Sequence, residues 1–123
     1  MDGFVFEHHW NAESHRYFDG FQEGDSLHFI YRGFFRDLTD PEDAVWQAIG
    51  LLNRDDRPSG LLGPSYSGGD VIAVWTTGGE WVGAWTSDGI SLRRTDLTPE
   101  TLDATTERSV LWINHTTEGS ITR

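Results

Sequence analysis

One stretch of the chain, residues 38–53, places apolar residues at helical spacing. The apolar residues that share one helical face there are Val45, Ala48, Ile49 and Leu52. Thr39 or Asp40 can cap the first turn, and Pro41 suits the first helical position because an N–H at that point has no partner within the helix. This pattern predicts the principal helix of the protein, ending at Asn53.

Runs rich in β-branched and aromatic residues predict strands elsewhere. Phe4 and Phe6 begin the first strand, and residues 26–35 form the second, with a bulge at Gly33. Later strands are predicted at residues 70–75, 81–86, 90–94 and 109–113. The polar tail from Asn114 predicts a frayed end.

These elements combine into one predicted α+β domain over residues 1–123, with a small mixed or antiparallel sheet and one principal helix. A tight turn between the strands at 70–75 and 81–86 predicts a tryptophan-rich hairpin. Residues 58–69 are rich in glycine and serine and predict a loop. A shorter helix is expected after the cap formed by Thr98 and Pro99.

The charge of the chain excludes one class of partner. Asp and Glu number 20 against nine basic residues, all of them arginine, which gives a formal net charge of −11. Such a surface repels phosphate, and beyond Arg93 and Arg94 no stretch supplies the basic patch that a nucleic-acid-binding protein needs. We therefore expect no direct binding of nucleic acid, and the charge favours a protein partner with a basic surface.

Several chemistries lack the residues that they need. Cysteine is absent, which excludes disulfides, thiolate catalysis and cysteine-ligated metals. No Gly-x-Ser-x-Gly motif or P-loop occurs, so we expect no cofactor and no enzymatic activity.

The first ten residues, MDGFVFEHHW, carry acidic residues where a signal peptide needs positive charge, and no apolar run is long enough to cross a membrane. The prediction is a cytoplasmic protein with no membrane partner.

Three histidines near the N-terminus support an alternative function. His8, His9 and His15 lie close in sequence to Glu7 and Glu13, and imidazoles with a carboxylate would suit zinc. However, adjacent residues point apart in a strand or a helix, and neither His-x-His nor His-Glu-x-x-His occurs. Packed or surface histidines are the simpler interpretation, and a small metal-dependent enzyme is the alternative.

Two acidic segments flank the predicted principal helix. Asp40, Glu42 and Asp43 stand at its start, and Asp55 and Asp56 follow its end between two arginines. The neighbouring arginines favour a polar turn network over acid–base catalysis by this second segment. Both segments are candidate partner-binding sites, because they are polar and braced by regular structure.

The six tryptophans of the chain are a second signal for an interface. Trp75, Trp81 and Trp85 fall in or beside the predicted hairpin, and the period of two places Trp81 and Trp85 on one face. We expect at least one of the three in the core and predict Trp81 and Trp85 as interface anchors, because one helix cannot cover every aromatic side chain. A structural homodimer formed through this hairpin is a further alternative.

A helix, an aspartate-rich turn and a serine-rich strand start follow one another over residues 42–74. The segments concerned are LN at 52–53, DDRP at 55–58 and SYSGGDVI at 65–72. Their order is similar to that of the YodL-like small proteins of phages and integrative mobile elements, although Tyr66 and Gly68 stand where that family has leucine and valine. The resemblance covers about a quarter of the chain. It implies a shared topology and a phage or mobile-element origin, and it implies no catalytic residue.

Charge, tryptophans and resemblance together predict a non-enzymatic interaction protein. We expect it to bind a host or element-encoded protein whose basic surface holds nucleic acid, and to inhibit or modulate that protein as an anti-defence factor or DNA mimic.

Overall fold

The computed structural model describes residues 3–13, 19–53, 65–88, 91–107 and 117–118. The helices in these residues are α1 (Pro41–Leu52) and α2 (Pro99–Thr105). The strands are β1 (Gly3–Asn11), β2 (Leu27–Arg36), β3 (Val71–Thr76), β4 (Trp81–Ser87), β5 (Leu92–Arg94), β6 (Thr106–Glu107) and β7 (Thr117–Glu118). The predicted α+β fold is confirmed. Neither of the two helices in the described part of the chain has the length and hydropathy needed to cross a membrane.

The strands form one mixed sheet in the order β5-β4-β3-β1-β2-β6, and β7 also pairs with β2. The neighbours from β5 to β2 are antiparallel, whereas β6 and β7 run parallel to β2. Strand β1 lies between β2 and β3, so its side chains are buried on both faces of the sheet. This central position explains why the N-terminal segment shows little polar and apolar alternation.

Helix α1 forms where the sequence predicts it. Asp40 is the N-cap, and its Oδ1 accepts a hydrogen bond from the Glu42 backbone N–H at 3.0 Å. The helix buries one stripe of side chains against β1 and β3. The buried residues are Ala44, Val45, Ala48, Leu51 and Leu52. Burial of each valine or leucine contributes about 1.5–3 kcal/mol to this packing.

The two faces of the sheet carry separate hydrophobic clusters. The cluster under α1 includes Phe6, Phe35 and Trp85. The opposite cluster includes Phe21 and Leu27, and Leu102 of α2 packs into it. The sheet is therefore covered on both faces, by α1 on one and by α2 with the segment before β2 on the other.

The bulge predicted at Gly33 is wrong. Gly33 pairs regularly with Phe6, and the extra residue of β2 is Ile30, since His8 pairs with Tyr31 and His9 with Phe29. Gly33 has a different role, because a Cβ at this position would lie 2.9 Å from the Phe6 ring. The absence of a side chain lets the Phe6 ring cover the backbone of β2.

The prediction that Trp81 and Trp85 share a face is also wrong. Trp75 pairs with Trp81 and Val74 with Gly83, so Val82 is an extra residue in β4. A single inserted residue reverses the alternation of side chains. Trp85 consequently joins the cluster under α1, whereas Trp81 packs with the opposite cluster.

Two further predicted segments lie largely outside the described residues, and a third contains a short strand. Strand β7, at 117–118, lies within the tail that was expected to be frayed, and it pairs with Gly33 and Phe34 of β2. The predicted strand at 109–113 and most of the loop at 58–69 lie outside the described residues.

Candidate functional site

The exposed side of α1 combines carboxylates with an aromatic side chain. Glu42, Asp43 and Trp46 point to solvent, and Trp46 is 51% exposed. It is the only large hydrophobic residue in the described part of the chain that is this exposed. Residues three and four positions apart are neighbours on a helix, so Trp46 lies beside both carboxylates. We call the surface formed by Asp40, Glu42, Asp43 and Trp46 the acidic α1 face.

The structure thus brings together the first predicted acidic segment and adds a residue that the sequence analysis missed. Asp40 is exposed, but one of its oxygens is engaged as the N-cap. Asp55 and Asp56, the second predicted segment, lie outside the described residues. The sequence contains a signal for Trp46, because this residue does not belong to the predicted apolar stripe and therefore lies on the polar side of the helix.

The two predicted tryptophan anchors occupy different environments. Trp85 is only 3% exposed, and the Arg94 guanidinium lies 5.3 Å from its ring centroid, so its expected role as an exposed anchor is wrong. Arg94 crosses the backbone at Gly83, where a Cβ would approach it to 2.8 Å. Trp81 is half-buried and packs edge-on against Trp75 at 5.2 Å. Trp81 and Trp85 lie on opposite faces of the sheet because the extra residue Val82 reverses the alternation of side chains along β4.

The N-terminal histidines do not meet at one site. His8 and His9 are both fully buried and extend from opposite faces of β1, and His15 lies outside the described residues. His8 bonds to Asp70, and His9 bonds to Glu7. The described ranges contain no group of three or more metal-ligating side chains.

His9 belongs to a buried chain of hydrogen bonds. Its Nε2 lies 2.9 Å from a Glu7 oxygen, its Nδ1 lies 3.0 Å from the Thr106 hydroxyl, and Glu7 also accepts from Arg32. A neutral His9 protonated on Nε2 satisfies both contacts, because Nδ1 then accepts from Thr106. We infer that this chain of hydrogen bonds stabilises the position of β6 beside β1. Its bonds to His9 and Arg32 give Glu7 the partners that a buried carboxylate requires.

Asp70 is the centre of a second buried network, just before β3. It is 1% exposed and accepts hydrogen bonds from three groups. The donors are His8 Nε2 at 2.8 Å, the Asn11 backbone N–H at 2.9 Å and the Ser67 backbone N–H at 3.1 Å. The side-chain amide of Asn11 continues the network to Asp25 at 3.0 Å. These bonds fix the turn before β3 and the segment before β2 to the end of β1.

Tyr66 closes one side of this network. Its hydroxyl lies 2.9 Å from Ser87 Oγ and donates to the Asp70 carbonyl at 3.3 Å. Burial, as the largest cause, raises the pKa of Tyr66 from 10.0 to about 12 because the phenolate would lose its hydration. The hydroxyl therefore stays protonated and acts as a structural donor.

A cleft of about 530 Å³ opens on the sheet face that α2 covers. The segment before β2, the end of β5 and helix α2 form its walls. Its charged lining residues are Glu23, Arg93 and Asp96, and its apolar ones include Phe21 and Leu97. This volume lies in the range of small-molecule sites.

Comparison with protein-family models, curated proteins and solved structures found no match to this chain. The resemblance to YodL-like proteins therefore stays a prediction.

Proposed function

We propose that this chain is a non-enzymatic, acidic interaction protein of a phage or mobile element. Its acidic α1 face binds a host or element-encoded protein at a basic surface that otherwise holds nucleic acid, and thereby inhibits that protein. The observation that carries the proposal is the exposed Trp46 beside Glu42 and Asp43.

An exposed tryptophan on a helix is well suited to anchor an interface. It can bury a large apolar area when a partner covers it, and tryptophan is enriched among the residues that dominate binding energy. In this chain the other large hydrophobic residues of the described ranges are buried or half-buried. Trp46 therefore supplies apolar contact area that the fold itself leaves uncovered.

Charge selects the kind of partner. The net charge of −11 attracts positive surfaces over a distance and speeds encounter with them. Glu42 and Asp43 give that attraction a local direction beside the anchor. A surface that binds nucleic acid has the complementary property, since it carries clustered arginine and lysine.

The test is capture of partners from host lysate by wild-type protein and by α1 variants, at low and high salt. Trp46→Ala should weaken capture by about 30-fold, which corresponds to about 2 kcal/mol for an anchoring residue. The double variant Glu42→Arg, Asp43→Arg should abolish the salt-sensitive part of partner capture, so that the captured amount no longer differs between low and high salt. Glu80→Arg with Glu100→Arg makes the same change in net charge at exposed positions away from α1 and should retain capture.

Support requires more than a captured protein. The partner must bind nucleic acid when purified, and wild-type protein must displace that nucleic acid where Trp46→Ala does not. Capture that is equally strong with the α1 variants would overturn the proposal, as would a partner whose nucleic-acid binding is unaffected. Asp40→Asn is a suitable third variant because asparagine keeps the N-cap while removing the charge.

A further inference from the structure

The cleft on the α2 side contains charged groups whose bonding capacity the fold leaves unused. Arg93 Nη2 donates to the Phe21 carbonyl at 2.8 Å and contacts the Asp19 carbonyl at 3.4 Å. Within the described ranges, Nε and Nη1 of Arg93 have no hydrogen-bond partner, and neither do the carboxylates of Glu23 and Asp96. The Arg93 guanidinium is thus held by backbone carbonyls and lines the same cleft as the carboxylates of Glu23 and Asp96.

The first wall of the cleft is fixed by buried polar contacts. The Phe21 N–H donates to Thr86 Oγ1 at 3.0 Å, which holds the start of the segment on the sheet. The Gln22 N–H donates to Asp25, which is 4% exposed and also accepts from Asn11. The polar network around β1 therefore sets the position of this wall.

The second wall is fixed by the start of α2. Thr98 and Thr101 form a capping box, and the Thr95 hydroxyl donates to the Ala84 carbonyl at 2.9 Å. Leu102 anchors the helix in the core beneath. A site with two fixed walls binds without the cost of ordering a loop.

The lining groups define the ligand by complementarity. Arg93 presents a guanidinium that suits a carboxylate, and Glu23 and Asp96 suit cationic nitrogens. Phe21 and Leu97 provide apolar contact for a short alkyl chain between them. Because one positive and two negative groups line the space, its complement carries one carboxylate and two cationic nitrogens.

We propose that this cleft binds a free basic α-amino acid, arginine or lysine, with the ligand carboxylate on Arg93 and its cationic groups on Glu23 and Asp96. The cleft lies on the face of the sheet opposite α1. The inference is therefore independent of the proposed partner interface, and each can fail without the other.

The experiment is calorimetric titration of the full chain with three probes. L-Arginine should bind with one-to-one stoichiometry, whereas agmatine, which lacks the carboxylate, and L-norvaline, which lacks the side-chain cation, should each bind about tenfold more weakly or worse. Agmatine carries more positive charge than arginine, so unspecific attraction to an acidic protein would give the opposite order. L-Lysine serves as the second positive probe.

Variants locate the binding. Arg93→Gln should weaken arginine binding about tenfold or more, and Glu23→Gln with Asp96→Asn should do the same. Arg36→Gln removes an exposed arginine at the end of β2 and should leave arginine binding unchanged. All four positions are exposed, and circular dichroism checks that each variant keeps its fold.

Backbone amide shifts in NMR spectra give an independent readout, and those of Gly24 and Leu97 should move on addition of L-arginine. Binding of arginine and agmatine with equal strength would overturn the proposal. The same holds for shifts confined to α1, for no effect of Arg93→Gln, and for no binding of arginine or lysine at millimolar concentration.

Discussion

Asp70 gives the sharpest test of how the buried networks stabilise this fold. Its carboxylate accepts from His8 and from two backbone N–H groups while being 1% exposed. Asp70→Ala leaves the buried donors of His8 and Asn11, and the partly buried Ser67 N–H, without their acceptor. Hydrogen bonds to a charged group contribute about 1.5–3 kcal/mol each, and they are not additive when they share one carboxylate. We therefore expect a loss of about 3–5 kcal/mol in the free energy of unfolding, which is more than one such bond contributes and less than the sum of three.

Urea unfolding followed by tryptophan fluorescence measures this loss. With a typical dependence on urea, the midpoint should fall by about 2–3 M. Asp70→Asn keeps one acceptor oxygen and should fall between wild type and Asp70→Ala. Asp96→Ala is the matched control, because Asp96 is exposed, and it should stay within about 0.5 kcal/mol of wild type. A loss below about 1 kcal/mol for Asp70→Ala would refute the view that this network holds β1, the turn before β3 and the segment before β2 together.

Three further predictions concern single positions. Gly33→Val should destabilise the protein by about 1–3 kcal/mol in urea unfolding, because its Cβ would meet the Phe6 ring at 2.9 Å; unchanged stability would contradict that packing. Gly50→Ala should stabilise by about 0.5–1 kcal/mol, because Gly50 is exposed within α1 and an added Cβ meets no atom within 4 Å; a decrease would count against the helix boundaries. The folded-state pKa of Tyr66, about 12, lies above 10.0, so its contribution to stability is complete below pH 10 and is lost as pH rises towards 12. An alkaline titration of wild type should therefore show a phenolate phase near pH 12 that Tyr66→Phe loses, and identical titrations of the two proteins in that range would refute the assignment.

The helices were predictable because their signals are local. The Asp40 cap, Pro41 and the apolar stripe all lie within a few turns, and they place α1 correctly. The cap at Thr98 places α2 in the same way. Strand positions were also readable, since β-branched and aromatic runs mark β2, β3 and β4.

The orientation of side chains was less predictable. Alternation holds along a strand only until an extra residue interrupts it, and the partner strand decides where that happens. Ile30 and Val82 are such residues, and neither has a distinguishing local sequence. The bulge at Val82 moved Trp81 and Trp85 to opposite faces and thereby removed Trp85 from the candidate interface.

The chain alone therefore determined its charge, its α+β class, the starts of both helices and the end of α1, because these depend on composition and on residues close in sequence. The tertiary structure decided which groups meet. His8 and Asp70 are 62 positions apart, and Arg93 reaches the Phe21 carbonyl across 72 positions. Such pairs follow from strand order and register, which no local pattern encodes. The buried networks and the charged cleft arise at that level.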